Sequence, residues 1–254
     1  MRRYRGRRRS RLKTVGVIGV LLLVGLAVAC VVYLRDYRSA EAEALAALES
    51  DEQVTVLTEG KTTVFAPVWE ADCGFVFYPG GKVEHTAYAP LLRQLAEEGT
   101  LCVLTEMPFH LAVLDVNAAK GIPERYPEVT DWYIGGHSLG GSMAASYAAD
   151  HPADYEGLVL LASYSTADLS GTALRVLSVY GSEDGVLNFE KYGEYRDHLP
   201  ASTREVVIDG GNHACFGSYG PQDGDGTAQI TAEQQIEETV ECLTAFFREE
   251  SPAA

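Results

Sequence analysis

Short apolar runs of strand length alternate with helical segments from residue 54 to residue 248. That alternation confines the chain to an α/β fold built on a mostly parallel sheet. The runs lie at 54–59, 62–66, 73–78, 101–105, 132–135, 158–162, 175–180 and 204–208, and Gly60-Lys61 reads as a hairpin turn joining the first two. Helical segments fall at 87–98, 139–150, 187–198 and 231–248. Strands buried on both faces read as continuous apolar stretches, so the expectation is a doubly wound, eight-stranded, mostly parallel sheet occupying residues 54–248, with 249–254 as a tail.

A different pattern precedes this body. Residues 14–34 (TVGVIGVLLLVGLAVACVVYL) form 21 positions without a charge, enough at about 1.5 Å per residue to cross about 30 Å of hydrocarbon. Eight basic residues precede the run, whereas only Arg35 and Arg38 follow it closely. The positive-inside rule therefore predicts a single-pass signal-anchor helix at the cell membrane, with a basic tip, 1–13, in the cytoplasm and the body outside. Two processing readings compete: Ala27-Val28-Ala29 is a signal-peptidase-like site, and residues 26–30 weakly resemble a lipobox ending at Cys30. Continuation of the apolar run past both sites to Leu34 favours the uncleaved anchor. Residues 35–53 read as a spacer, with an Ala/Glu/Leu-rich helix over 39–50 capped by Ser39.

Charge divides at the same boundary. Residues 1–38 hold ten Lys/Arg and one acid, while the remaining 216 carry ten bases and 35 acids, a formal −25 within a chain total of −16. Every phosphate contact would be made against that field, so a nucleic-acid partner is not expected.

Gly136-His137-Ser138-Leu139-Gly140 matches G-x-S-x-G and lies between a strand-like and a helix-like run, where a nucleophile elbow belongs. The sharp turn lifts the serine Oγ clear of the sheet, and the Leu139 N–H at the helix start faces a developing oxyanion. A serine hydroxyl needs a base. Of the six histidines, His213 in Gly210-Gly211-Asn212-His213 follows the last strand on a loop. Asp184, in the Gly-rich loop after the run 175–180, supplies the acid that orients the imidazole, with Glu183 and Asp209 as alternatives. The second oxyanion donor belongs to Tyr78-Pro79-Gly80-Gly81-Lys82. Pro79 has no N–H; Gly81 is the first choice and Lys82 the second.

The segments YPGGKVEHTAYAPL, MPFHLAV, GGHSLGGSMAA, LASYSTADLS, YGSEDGVL and GGNHACFGSYGPQDGDG together resemble the α/β-hydrolase family, in its fold-5 group, which is loosely similar to dienelactone hydrolases. The resemblance runs over about 54–247 and implies that Ser138, Asp184 and His213 serve as nucleophile, acid and base. Members tend to carry Gln after the His-Ala pair, where this chain has Cys215.

Too few residues separate the runs 158–162 and 175–180 to hold a cap domain, so an open site is expected, walled by 106–127 with Phe109, His110 and Tyr126. Outside the cytoplasm, disulfides are permitted, and strand adjacency suggests Cys73–Cys102 and Cys215–Cys242. No His/Cys spacing suggests zinc and no phosphate loop is visible, so neither metal nor cofactor is implied. The reading is a membrane-anchored serine hydrolase acting on small carboxylic esters or thioesters. Acyl transfer to a lipid or wall acceptor is the second enzyme reading, separable by product analysis. A non-catalytic binding module is the third, marked by failure to label with serine-directed probes.

Overall fold

Each core strand is apolar on both sides, and in the computed structural model this places it inside a two-sided sandwich of helices. The structure describes residues 2–249, with side chains from Val15 onward. Met1, the tail from residue 250 and the side chains of the basic tip lie outside the described residues.

The chain divides into two compact units, one ending at Tyr37 and one beginning at Arg38. The first is a helix, α1 (Arg2–Arg35), whose stretch Val15–Arg35 is long and apolar enough to cross a membrane. An anchor and a signal sequence share that length and composition.

The second unit carries β1 (Val54–Glu59), β2 (Thr62–Pro67), β3 (Cys73–Tyr78), β4 (Thr100–Thr105), β5 (Trp132–His137), β6 (Gly157–Leu161), β7 (Arg175–Gly181) and β8 (Arg204–Ile208). They form one eight-stranded sheet in the order β1-β2-β4-β3-β5-β6-β7-β8. The β1–β2 and β2–β4 pairings are antiparallel and all others parallel. This is the α/β-hydrolase arrangement, and residues 162–174 between β6 and β7 contain no helical cap.

The helices of this unit are α2 (Ala42–Ala46), α3 (Ala89–Glu97), α4 (Leu139–Asp150), α5 (Phe189–Glu194) and α6 (Ala232–Arg248). Alternation along β3 explains the two-layer core. Phe75 and Phe77 point to one face, where Leu91, Leu92 and Leu95 of α3 and Ile236, Val240 and Leu243 of α6 cover them. Val76 and Tyr78 point to the other, beneath Ala144, Ala145 and Ala148 of α4. Burying a side chain such as Phe75 contributes about 2 kcal/mol.

Three elements depart from expectation. The 87–98 helix is entered through a 3-10 turn, His85–Tyr88, ahead of Pro90. The 187–198 helix is only α5 followed by a 3-10 turn, because Gly193 weakens its interior. The segment read as a spacer is packed on the body: Glu41 rather than Ser39 precedes α2, Ala44 is fully buried, and Ala40, Ala47 and Leu48 pack against the core.

The suggested disulfides do not form; Cys73, Cys102, Cys215 and Cys242 are all free thiols. Strand register explains the first pair. Cys73 lies opposite Thr100 and Cys102 opposite Phe75, so the two cysteines are offset along the ladder. The Sγ of Cys73 contacts Thr100 Oγ1 at 3.8 Å, while the thiol of Cys102 reaches the Thr100 carbonyl at 3.6 Å.

Candidate active site

The sequence-predicted Ser, Asp, His and oxyanion residues lie at the C-terminal ends of parallel strands. Ser138 follows β5, Gly81 follows β3, Asp184 follows β7 and His213 follows β8. In open α/β sheets this is the edge where ligand crevices form.

Ser138 sits at φ 52°, ψ −123°, a backbone conformation that strains any non-glycine residue. The surroundings hold it there. Its N–H donates to the Leu161 carbonyl at 2.9 Å, and its own carbonyl accepts from Ser163 Oγ at 2.7 Å. The flanking glycines are sterically required: a Cβ at Gly136 would lie 2.4 Å, and one at Gly140 2.2 Å, from the Tyr78 carbonyl oxygen. Leu139 is the first residue of α4, so its N–H has no acceptor within the helix.

Gly81 lies directly against Leu139, since a Cβ at Gly81 would meet Leu139 Cδ2 at 3.0 Å. Its neighbours are engaged elsewhere. The Gly80 N–H donates to Tyr88 Oη at 3.1 Å, and the N–H of Lys82, the second choice of oxyanion donor, donates to the His110 carbonyl at 2.8 Å. The Gly81 N–H has no partner among the described residues.

His213 and Asp184 form a buried pair. Nδ1 of His213 is 2.9 Å from Asp184 Oδ2, with the side chains 2% and 0% exposed. Asp184 Oδ1 accepts from the Val186 and Leu187 N–H groups at 2.8 and 2.7 Å, which fixes the carboxylate. A proton on Nδ1 facing Asp184 leaves the Nε2 lone pair available; Nε2 is buried and has no hydrogen-bond partner among the described residues. The alternative acids are elsewhere: Glu183 accepts from Gln229 Nε2 at 2.9 Å, and Asp209 is exposed at the end of β8.

Four residues beyond the sequence reading build this site. His137 packs its ring 4.5 Å from that of His213, and its Nδ1 lies 2.8 Å from Tyr88 Oη. Asp225 accepts from the N–H groups of Gly185 (3.0 Å), His213 (3.2 Å) and Ala214 (2.8 Å), joining the loop after β7 to the loop after β8. Gln235, fully buried on α6, brackets Asn212 by accepting from its N–H at 2.9 Å and donating to its carbonyl at 2.8 Å. The Gly224-Asp225-Gly226 turn is the one sequence signal that could have pointed here. A Cβ at Gly226 would fall 1.9 Å from the Glu183 carbonyl, so the turn presses against the acid loop.

The expected pocket wall is only partly present. The 107–110 segment meets the oxyanion loop through the Lys82–His110 bond. Tyr126 does not: its hydroxyl donates to Glu59 at 3.1 Å and its ring lies 6.1 Å from Trp132, at the end of β5 opposite Ser138. No cluster of three or more His, Cys, Asp or Glu side chains among the described residues could hold a metal ion.

Three solved structures share the fold. A predicted CIB-like hydrolase from Thermoplasma acidophilum is 16% identical, with a TM-score of 0.53 over 76% of this chain and 98% of its own. TT1662 from Thermus thermophilus is 14% identical, with a TM-score of 0.58 over 78% and 100%. Carboxyl esterase 2 from the mycorrhizal fungus Tuber melanosporum is 14% identical, with a TM-score of 0.59 over 84% and 91%. No curated protein sequence matches the chain. The model of the alpha/beta hydrolase family matches residues 74–237, more than half of the sequence, and the chain belongs to that family.

Proposed function

We propose that the protein is a serine hydrolase that cleaves carboxylic esters or thioesters, held at the membrane by α1 with its tip in the cytoplasm and its body outside. The observation that carries this reading is the His213 imidazole, bound through Nδ1 to buried Asp184 and unpartnered at Nε2, in a fold that also places Ser138 in a strained elbow.

Ser138 Oγ attacks the acyl carbon as its proton passes to His213 Nε2. The carbonyl oxygen becomes an oxyanion and receives the Leu139 and Gly81 N–H groups, which are fixed before reaction begins. Collapse expels the alcohol or thiol, which takes the proton from His213, and leaves an acyl-Ser138. Water, deprotonated by the same nitrogen, then releases the carboxylic acid and restores the serine. Asp184 holds the tautomer that keeps Nε2 basic and stabilises the imidazolium.

Replacing Ser138 with Ala is expected to lower ester turnover by about 10³-fold or more and to abolish fluorophosphonate labelling, with the fold retained. Full activity in that variant would falsify the assignment.

A further inference from the structure

We infer that the site works at the bilayer surface, on an amphiphilic ester whose acyl chain is partitioned into the membrane. The inference rests on the hydrolase reading and on α1 as an anchor.

The chain leaves α1 at Arg35 and is already docked on the catalytic body at Arg38. The Arg38 N–H donates to the Lys82 carbonyl at 2.8 Å, and the Glu84 N–H donates to the Arg38 carbonyl at 2.9 Å, forming a parallel bridge to Val83. Ala40 N–H then donates to Glu84 Oε2 at 3.0 Å and Glu41 N–H to the Ser218 carbonyl at 2.9 Å. The first residues past the helix are thus fastened to the strand-end segment that carries Gly81 and to the loop that follows His213. Three residues of extended chain reach at most about 11 Å. Covalent connection alone keeps Arg38, the residue hydrogen-bonded to Lys82 and Glu84, within that reach of Arg35.

A second observation concerns the segment beside that loop. Phe109, Val113 and Leu114 are 60%, 53% and 54% exposed. One such residue is ordinary; three within six positions, next to a catalytic loop, are not. The segment is tied in by the Lys82–His110 bond, and its turn Ala112–Leu114 packs on α4, the helix that follows Ser138. Phe109 and His110 hold left-handed backbone at φ 53° and 58°, strain that persists only where the surroundings enforce it. An apolar rim of this kind enters the interface between headgroups and acyl chains. Charge does not attract this body to an anionic leaflet, because the residues beyond Arg38 carry a formal −25. Tethering and apolar contact remain as the forces that hold the site there. The net reaction is unchanged: ester and water give carboxylic acid and alcohol.

The test uses the full chain in phosphatidylcholine vesicles, with methylumbelliferyl oleate as the embedded ester and methylumbelliferyl butyrate as the aqueous one. Inserting about forty Gly/Ser residues between Tyr37 and Arg38 leaves the Arg38–Lys82 pairing intact but frees the body by about 35 Å r.m.s.. The oleate-to-butyrate rate ratio is expected to fall at least fivefold, and a Phe109→Ser, Leu114→Ser double variant should lower it likewise. An unchanged ratio in both, or equal loss on both esters, overturns the inference while leaving the hydrolase reading standing. A parent chain that turns over neither ester, with Ser138 unlabelled by a fluorophosphonate, overturns that reading and this inference together.

Discussion

Tyr88 Oη and His137 Nδ1 lie 2.8 Å apart in the core, directly behind the candidate catalytic loops. The contact links two turns that are distant in sequence. Tyr88 Oη also accepts from the Gly80 N–H at 3.1 Å, so one oxygen contacts both the 78–82 loop and the His137 ring. Burial keeps the Tyr88 phenol protonated far above neutral pH. One hydroxyl thereby ties the 78–82 loop, which carries the candidate oxyanion donor, to the turn that carries Ser138.

Removing it should separate catalysis from binding. Tyr88→Phe leaves the Gly80 N–H and His137 Nδ1 without their partner, at a cost of about 1–3 kcal/mol. We expect kcat to fall about tenfold, from a slackened oxyanion loop, with KM changed by less than about twofold. Steady-state kinetics alongside urea unfolding would measure both effects; a change in stability with kcat intact would confine the hydroxyl to a structural role.

His137 also sets an acid limit on stability. Burial holds its imidazole well below the usual histidine range, and the adjacent His213 ring pushes the same way. In the unfolded chain the same group titrates near about 6.5. Above that pH neither state binds the proton and stability is unaffected. As pH falls below it the unfolded chain gains a proton that the native state refuses, so stability declines towards the lower native pKa, by up to about 1.4 kcal/mol per pH unit. His85, also lowered by burial, acts in the same direction. Urea midpoints between pH 7.5 and pH 5 should decline in the parent and decline less steeply in His137→Gln. Parallel slopes would contradict the assignment.

What the sequence disclosed follows from how strongly each position is constrained. The strand β3 is buried at every residue and writes an uninterrupted apolar run; β5 is equally buried but closes on Gly135-Gly136-His137, so its apolar run stops short of its end. The elbow is legible because Gly136 and Gly140 face the Tyr78 carbonyl at distances that exclude any side chain. Asp225 is marked only by its flanking glycines, since it recognises backbone N–H groups, and those groups have the same chemistry beneath any side chain. The docking of 38–41 was hidden for a related reason, since an Ala/Glu-rich segment reads alike whether it stands in solvent or lies on a core. The cysteine pairs misled because adjacency of strands was taken without their register, and β3 and β4 pair two residues out of step for a disulfide.

Those thiols make a direct chemical prediction. Burial pushes the Cys73 thiol up to about 11 and the Cys102 thiol well above its usual range, and raises Cys215 and Cys242, where exposure is greater. Only the thiolate alkylates readily. Iodoacetamide at pH 8 should therefore modify Cys215 and Cys242 slowly in the native protein and leave Cys73 and Cys102 intact until denaturant is added. Without any reductant, all four should then react. A mass spectrum retaining a linked pair of peptides would refute the free-thiol assignment.

Asp225 offers the sharpest separation of positioning from catalysis. Its carboxylate never meets the proposed reacting atoms, yet it takes the N–H of Gly185 beside the acid and those of His213 and Ala214 at the base. Hydrogen bonds from backbone N–H to an ionised acceptor are about twice as strong as neutral ones. Asp225→Asn presents an NH₂ to some of those donors, so we expect a loss of about 2–3 kcal/mol of stability. We also expect kcat to drop about tenfold to a hundredfold as the imidazole loses its register with Ser138. Counting active sites with a fluorophosphonate distinguishes the causes. A merely destabilised protein would show fewer sites with normal turnover per site, whereas a positioning role lowers turnover per site and slows labelling of Ser138 in proportion, with KM little changed. Normal turnover per titrated site in Asp225→Asn would sink the positioning role.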